Sequence, residues 1–201
     1  MTHINEKSNE KKYLYTLKNL ILKTMKIVAF AGSTSSTSIN KKLVEHTLTH
    51  FGESDINLLD LNDYSMPIFS SDEEKKGTPE QAHKFLQCIE EADAIVCSFA
   101  EHNGNFAAAF KNVFDWASRI NKSVFQNKPM LIMATSPGGY GGKNVLDVAQ
   151  KTLPHYGGNI KGVFSLPKFG QNFDANEGIT NPELKQEHIN TIENFKQQIA
   201  Q

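Results

Sequence analysis

Three stretches of the sequence hold residues whose type and spacing suit a ligand site. In the first, Gly32 is followed by six consecutive hydroxyl residues, Ser33 to Ser38, and then by Ile39 and Asn40 at the start of a helical pattern. Free backbone N–H groups and the helix dipole favour an anion at such a position, and hydroxyls donate directly to terminal phosphate oxygens. A helix cap and polar linker would need only one or two hydroxyls, so six point to a small phosphomonoester. The second stretch is Ala100-Glu101-His102-Asn103-Gly104-Asn105-Phe106. Its asparagine-glycine turn can present backbone groups to a planar heterocycle, with His102 and Phe106 as apolar or stacking contacts. The third, Ser136-Pro137-Gly138-Gly139-Tyr140-Gly141-Gly142, has glycines that permit close approach of a flat ligand and a tyrosine that could stack on it. Standing alone, the second and third stretches read equally well as surface turns.

Other chemistries find no support in the residues. There is no GxGxxG, no lysine-ended P-loop and no GxSxG elbow. His46 and His50 are spaced to share a helix face, but without HExxH or a third ligand nearby in sequence no metal site is expected. Cys88 and Cys97 form no CxxC pair, which suits a reduced, cytoplasmic setting, and Cys97 sits in an apolar run as a core residue. Phe110, Phe114 and Phe125 likewise read as core.

The elements that must position these stretches follow from hydrophobic periodicity. Strands are expected at 26–31, 56–61, 94–99, 130–134 and 159–164. Helices are expected at 39–51, from a Thr78 cap with Pro79 at the first position to Glu91, at 107–120, 144–153 and 182–199, with loops over 62–78 and 166–178. Apolar strands alternating with amphipathic helices define an α/β fold, a doubly wound parallel sheet. Five strands suggest the flavodoxin-like order 2-1-3-4-5, in which ligands bind at the carboxyl ends beside the switch point. The three unusual stretches follow strands one, three and four.

With 201 residues, 39% hydrophobic and 21% charged, the chain fits one soluble globular domain. A net charge of −1 gives no electrostatic case for nucleic acid or an anionic membrane surface. Arg119 is the single arginine, so an anion site elsewhere must use lysine, hydroxyls or backbone N–H groups. Residues 1–24 read as a polar extension before Met25, with residues 25–201 as the domain. Lysines interrupt the apolar stretch at 20–31, against a signal peptide.

These residues together carry a resemblance. The chain resembles the NAD(P)H-dependent FMN reductase family, whose relatives include azo, quinone and chromate reductases. The likeness covers about residues 25–170 and rests on Gly32-Ser33 through Ser38 and Asn40, on Glu101 to Gly104 followed by Phe110-Lys111-Asn112-Val113-Phe114-Asp115-Trp116, and on Ser136-Pro137-Gly138-Gly139. It implies FMN as cofactor and NADPH or NADH as co-substrate. Ser33, Ser38 and Asn40, with Ser35 and Ile39 in the same loop, would hold the phosphate. Glu101, His102, Asn103 and Gly104 would line the ring, with Ser136, Pro137, Gly138 and Gly139 at its other edge. Lys111, Asn112, Asp115 and Trp116 look like scaffold. The chemistry would be borne by the flavin, with no catalytic side chain and no metal. A small-molecule oxidant (free flavin, a quinone or an azo dye) and a homodimer or homotetramer complete what the resemblance implies. Four departures stand out: Ser35 where the family often has arginine, Ala100 for proline, His102 for tyrosine, and Ala107-Ala108 for proline-glycine. The rival readings are a flavodoxin-type FMN electron carrier, which would be expected to be strongly acidic, and a flavin-binding module that has lost turnover.

Overall fold

In the computed structural model, residues 24–199 are described, so the proposed extension, apart from residue 24, lies outside them. Five parallel strands make the sheet: β1 (Lys26–Gly32), β2 (Asp55–Leu59), β3 (Ala94–Phe99), β6 (Pro129–Thr135) and β7 (Asn159–Leu166). Their spatial order is β2-β1-β3-β6-β7. This is the 2-1-3-4-5 arrangement expected from sequence, with β4 (Glu101–His102) and β5 (Asn105–Phe106) inserted as a hairpin. A short helix, α6 (Phe169–Asn172), and a second hairpin, β8 (Phe173–Asp174) with β9 (Gly178–Ile179), lie in the segment expected to be loop.

Alternation along the strands divides the core into two layers. Val28, Phe30, Ile95, Cys97, Phe99 and Ile132 pack with α3 (Glu80–Glu91), α4 (Ala108–Ile120) and α5 (Lys143–Thr152). Ile27, Ala29, Val96, Leu131 and Met133 pack on the other face with α1 (Ile39–Leu48) and the terminal helix α7 (Pro182–Ile199). Each central strand is therefore apolar on both sides, which explains its unbroken hydrophobic run. Cys97 is fully buried, and burial pushes its thiol pKa up, so it is the inert core residue expected. Helix α3 starts at Glu80 with Pro79 in the cap position, one residue later than the Thr78 cap expected; the Pro79 carbonyl accepts from Ala82 N–H.

The segment after β2 contains a turn of 3-10 helix at Leu61–Tyr64 and a short helix, α2 (Ser71–Glu74). Helix α4 clamps it. Asn112 accepts from Phe69 N–H at 2.8 Å and donates to the carbonyls of Met66 and Pro67 at 3.1 Å. Trp116, buried, donates its indole N–H to the Pro67 carbonyl at 2.7 Å and meets Phe69 edge-on. Arg119 pairs with Glu74 at 2.7 Å and lies over the Phe69 ring. Asn112 and Trp116 thus fill the scaffold role expected of them. Asn112→Ala removes all three hydrogen bonds of that side chain, and a loss of about 2 kcal/mol is expected, with faster proteolysis between residues 66 and 74. Urea unfolding and limited digestion check this; unchanged values for both would mean the loop is held by Trp116 and Arg119 alone.

Candidate active site

The register places the ends of β1, β3 and β6 side by side: Gly32 pairs with Phe99, and Phe99 with Ala134. The three chemistry-bearing stretches therefore leave the sheet as neighbours at its carboxyl edge. Gly32 is buried where a Cβ would press on Phe99 and Phe110, so the first loop starts tight against the core.

The hydroxyl loop is organised by its own backbone. Ser33 Oγ accepts from Ser35 N–H at 3.2 Å, Ser35 Oγ from Thr37 N–H at 3.3 Å, and Ser38 Oγ from Lys41 N–H at 3.2 Å, which caps α1. Each of these hydroxyls uses a lone pair on the backbone; those of Ser33 and Ser38 keep their protons for another acceptor, while Ser35 Oγ also lies 3.3 Å from Thr37 Oγ1. The first N–H groups of α1, at Ile39 and Asn40, have no carbonyl within the helix to bond. The nearby Lys41 ammonium is engaged with Asp60 at 3.0 Å. The loop offers an anion neutral donors and a helix N-terminus.

Asn40 follows this loop, buried, and its side chain makes three hydrogen bonds. Its Oδ1 accepts from Ser98 Oγ at 2.7 Å and from Thr135 N–H at 3.1 Å, and its Nδ2 donates to the Thr135 carbonyl at 3.3 Å. Asn40 therefore ties α1 to the ends of β3 and β6. Its backbone N–H is one of the free donors at the start of that helix.

In the second stretch, Asn103 (φ 52°) and Gly104 (φ 76°) are the two left-handed residues of a tight hairpin turn joining β4 to β5. Two positive φ values in succession explain the Asn-Gly pair there. His102 is exposed on the hairpin. Phe106 is buried against Phe99 and Phe110, with ring centroids 5.0 Å apart in each pair, so it packs in the core and does not face a ligand. Glu101 caps α5: its carboxylate accepts from Asn144 Nδ2 and from Val145 N–H, both at 3.0 Å. Glu101 thereby fastens the hairpin to the helix that follows the third loop.

That third loop turns back on the segment after β7. The carbonyls of Ser136 and Gly138 accept from Phe169 and Lys168 N–H groups at 3.0 and 2.9 Å. Gly141 and Gly142 are buried at positive φ, where a Cβ would strike Ser165, Pro167 or Ala134. Pro137, Gly138, Gly139 and Tyr140 are exposed. Lys168 is a residue that the sequence patterns did not single out; its side chain runs alongside Gly139. The signal was its place after the fifth strand, on the same carboxyl edge.

A cleft of about 300 Å³ joins the first two stretches, lined by Ser33, Thr34, Ser35, His102 and Ala107–Ala109. Helix α4 begins at Ala108, so three small side chains form the wall opposite the hydroxyl loop. The structure thus brings Ser33, Ser35 and His102 into one cavity, while Ser38, Ile39 and Asn40 do not line it. Residues 136–139 lie one strand further along and do not line this cleft.

The model of the NADPH-dependent FMN reductase family matches residues 25–171, and the chain belongs to that family. Among its relatives, a 2-hydroxy-1,4-benzoquinone reductase from Burkholderia sp. is 35% identical over 118 residues, 58% of this chain and 63% of that protein. An NAD(P)H-dependent FMN reductase from Pseudomonas aeruginosa is 32% identical over 119 residues, again 58% and 63%. The chain therefore spans less than two thirds of the length of these relatives. In fold it is similar to a flavoenzyme NAD(P)H:(acceptor) oxidoreductase from Paracoccus denitrificans, with a TM-score of 0.72, 23% identity and coverage of 88% of this chain and 98% of that one. An azoreductase from Bacillus anthracis superposes with a TM-score of 0.60 at 15% identity, covering 88% and 99%. Among the described residues no helix is long and apolar enough to cross a membrane.

Proposed function

We propose that this protein is an FMN-dependent NAD(P)H oxidoreductase that passes electrons to a small oxidant such as a quinone, an azo compound or free flavin. The observation that carries the proposal is the cleft in which the hydroxyl loop meets the His102 hairpin at the sheet's carboxyl edge. The residues there fit FMN. Three backbone-anchored hydroxyls and the N-terminus of α1 suit a phosphate dianion without a cationic side chain. When bound, FMN supplies the hydride and electron transfer itself, and no protein acid, base or nucleophile is required.

The chain's own residues bind and orient. Ser33, Ser35 and Ser38 donate to the phosphate, with Ile39 and Asn40 contributing backbone N–H groups. Asn103 and Gly104 of the hairpin and Ser136 to Gly139 of the third loop would hold the ring through backbone groups. Glu101 keeps these two supports in register through its bonds to Asn144 and Val145. Ala107–Ala109 leave the cleft mouth free of bulky side chains, which suits a flat oxidant. The proposal includes a homodimer or homotetramer in the cytoplasm, checked by light scattering and by fractionation.

The test is anaerobic. Purified protein supplied with FMN is expected to show the absorbance of oxidised flavin and to bleach rapidly with NADPH or NADH. Flavin that bleaches only with a strong chemical reductant would support a carrier instead, and failure to take up FMN would overturn both.

A further inference from the structure

On the sheet face opposite α3 to α5, and away from the cleft, three histidines converge. His46 stands on α1, His50 in the 3-10 turn just after it, and His188 on α7. Their ring centroids form a nearly equilateral triangle, with sides of 5.6, 5.6 and 5.7 Å. One ring nitrogen of each lies within 4.8 Å of one from each of the other two. His46 and His50 were legible as a spaced pair; the third imidazole comes from the far end of the chain.

The state of His188 is fixed by its neighbour. The Thr47 hydroxyl has one hydrogen, and the Leu43 carbonyl lies 2.8 Å from it in the usual i−4 position. Toward His188 Nε2, also 2.8 Å away, Thr47 therefore acts as acceptor. That puts the proton on Nε2 and leaves a lone pair on Nδ1. His188 is only 1% exposed, yet Nδ1 has no hydrogen-bond partner. A buried acceptor without a donor is costly in a folded protein. It is also the state of a metal-ligating imidazole, whose other N–H is held by a neighbouring oxygen that sets the tautomer.

We propose that His46, His50 and His188 form a binding site for one borderline divalent transition ion, Zn²⁺ in the first instance. Three imidazoles with a water in the fourth position make a recognised tetrahedral donor set. Zinc–nitrogen bonds of about 2.0–2.1 Å require ligand atoms roughly 3.3 Å apart, so the three rings close slightly on the ion. His50 is half-buried on the open side of the cluster, His46 is packed between His188 and the second hairpin, and His188 is held by Thr47. Burial holds all three imidazoles below the ordinary histidine range, His188 to about 3, so each is neutral at neutral pH. The charged groups acting on the pair are Lys185, Lys196 and Glu193. The ammonium groups oppose a cation only weakly across solvent, and the carboxylate favours it.

The second hairpin closes over the site. The His46 ring lies edge to face on Phe173, with centroids 5.6 Å apart, and a Cβ at Gly178 would collide with it. An ion here would bolt α7 and the hairpin to α1, the helix whose N-terminus carries the hydroxyl loop.

The test uses the full chain without a polyhistidine tag, freed of metal by chelator and titrated with Co²⁺ and Zn²⁺. One Co²⁺ per chain with the visible bands of tetrahedral nitrogen coordination, displaced by Zn²⁺, is expected. His46→Gln and His50→Gln, substitutions on the accessible side, are each expected to weaken Zn²⁺ binding by about 100-fold or more while leaving the far-UV circular dichroism unchanged. His83→Gln, an exposed histidine elsewhere on the chain, serves as control and is expected to change nothing. Absence of the tetrahedral cobalt spectrum, or the same affinity in His50→Gln as in the parent, would overturn the site. Neither readout depends on flavin binding or reductase activity.

Discussion

Replacing Ser33 and Ser38 together by alanine is expected to weaken FMN binding by at least about 100-fold. Each hydroxyl proton freed by the loop's internal bonding has a charged acceptor when phosphate is bound, and such a bond contributes roughly 1.5–3 kcal/mol. Two at the lower value give about 3 kcal/mol, a little over two powers of ten. The two serines differ in a second respect. Ser38 caps α1 through Lys41 N–H, so its loss also costs about 1 kcal/mol of stability. Ser33 holds only the Ser35 amide within the loop. Ser33→Ala alone should therefore weaken FMN about tenfold or more with little change in unfolding midpoint. Fluorescence quenching of FMN on binding measures the affinities, and thermal unfolding separates the cap effect. Equal affinity in the double variant and the parent would move the phosphate site away from this loop.

Asn40→Ala is expected to be the most damaging small substitution at the site, lowering stability by about 3–4 kcal/mol. It removes three hydrogen bonds and strands the buried Ser98 hydroxyl and Thr135 N–H, each worth about 1–3 kcal/mol when left unpaired. Because Asn40 joins α1 to β3 and β6, the damage should extend to FMN affinity through the orientation of the loop. Asn40→Asp keeps the acceptor for Ser98 and Thr135 N–H but loses the donor to the Thr135 carbonyl. It should be milder than alanine at low pH, where a protonated carboxyl restores that donor, and should lose the advantage as pH rises and the charge is buried beside a carbonyl. Urea unfolding across pH checks both variants. A loss below about 1 kcal/mol in Asn40→Ala would mean that water replaces the amide without penalty.

The strand and helix pattern of this chain was open to reading because its central strands are apolar on both faces and its helices carry one apolar stripe. The same patterning placed the three loops on one edge of the sheet, since alternation of strand and helix leaves few topologies. What escaped reading has a common physical character: it depends on single long-range polar contacts. Glu101 looked like a ring-lining residue of the second loop, yet its carboxylate is spent on the amide end of α5. Phe106 has the chemistry of a stacking residue and the surroundings of a core one. The two small hairpins are only two residues per strand, too short for alternation to register, although the Asn103-Gly104 pair marked the turn of the first. His188 could not be matched to His46 and His50 by spacing, because the terminal helix comes to lie against α1 only once the strands between them in sequence have folded into the sheet.

The clamp on the segment after β2 has a practical consequence for chemical labelling. Arg119 is the single guanidinium in the chain, and in the folded protein it is paired with Glu74 and laid against Phe69. An arginine-selective dicarbonyl reagent would therefore have one target, whose protection reports whether residues 66–74 are seated on α4. Because Asn62, four residues before that segment, donates to the Thr34 carbonyl, the same adduct would register movement transmitted from the hydroxyl loop. One covalent mark per chain would then follow ligand occupancy at a distance, without a fluorophore or an engineered cysteine.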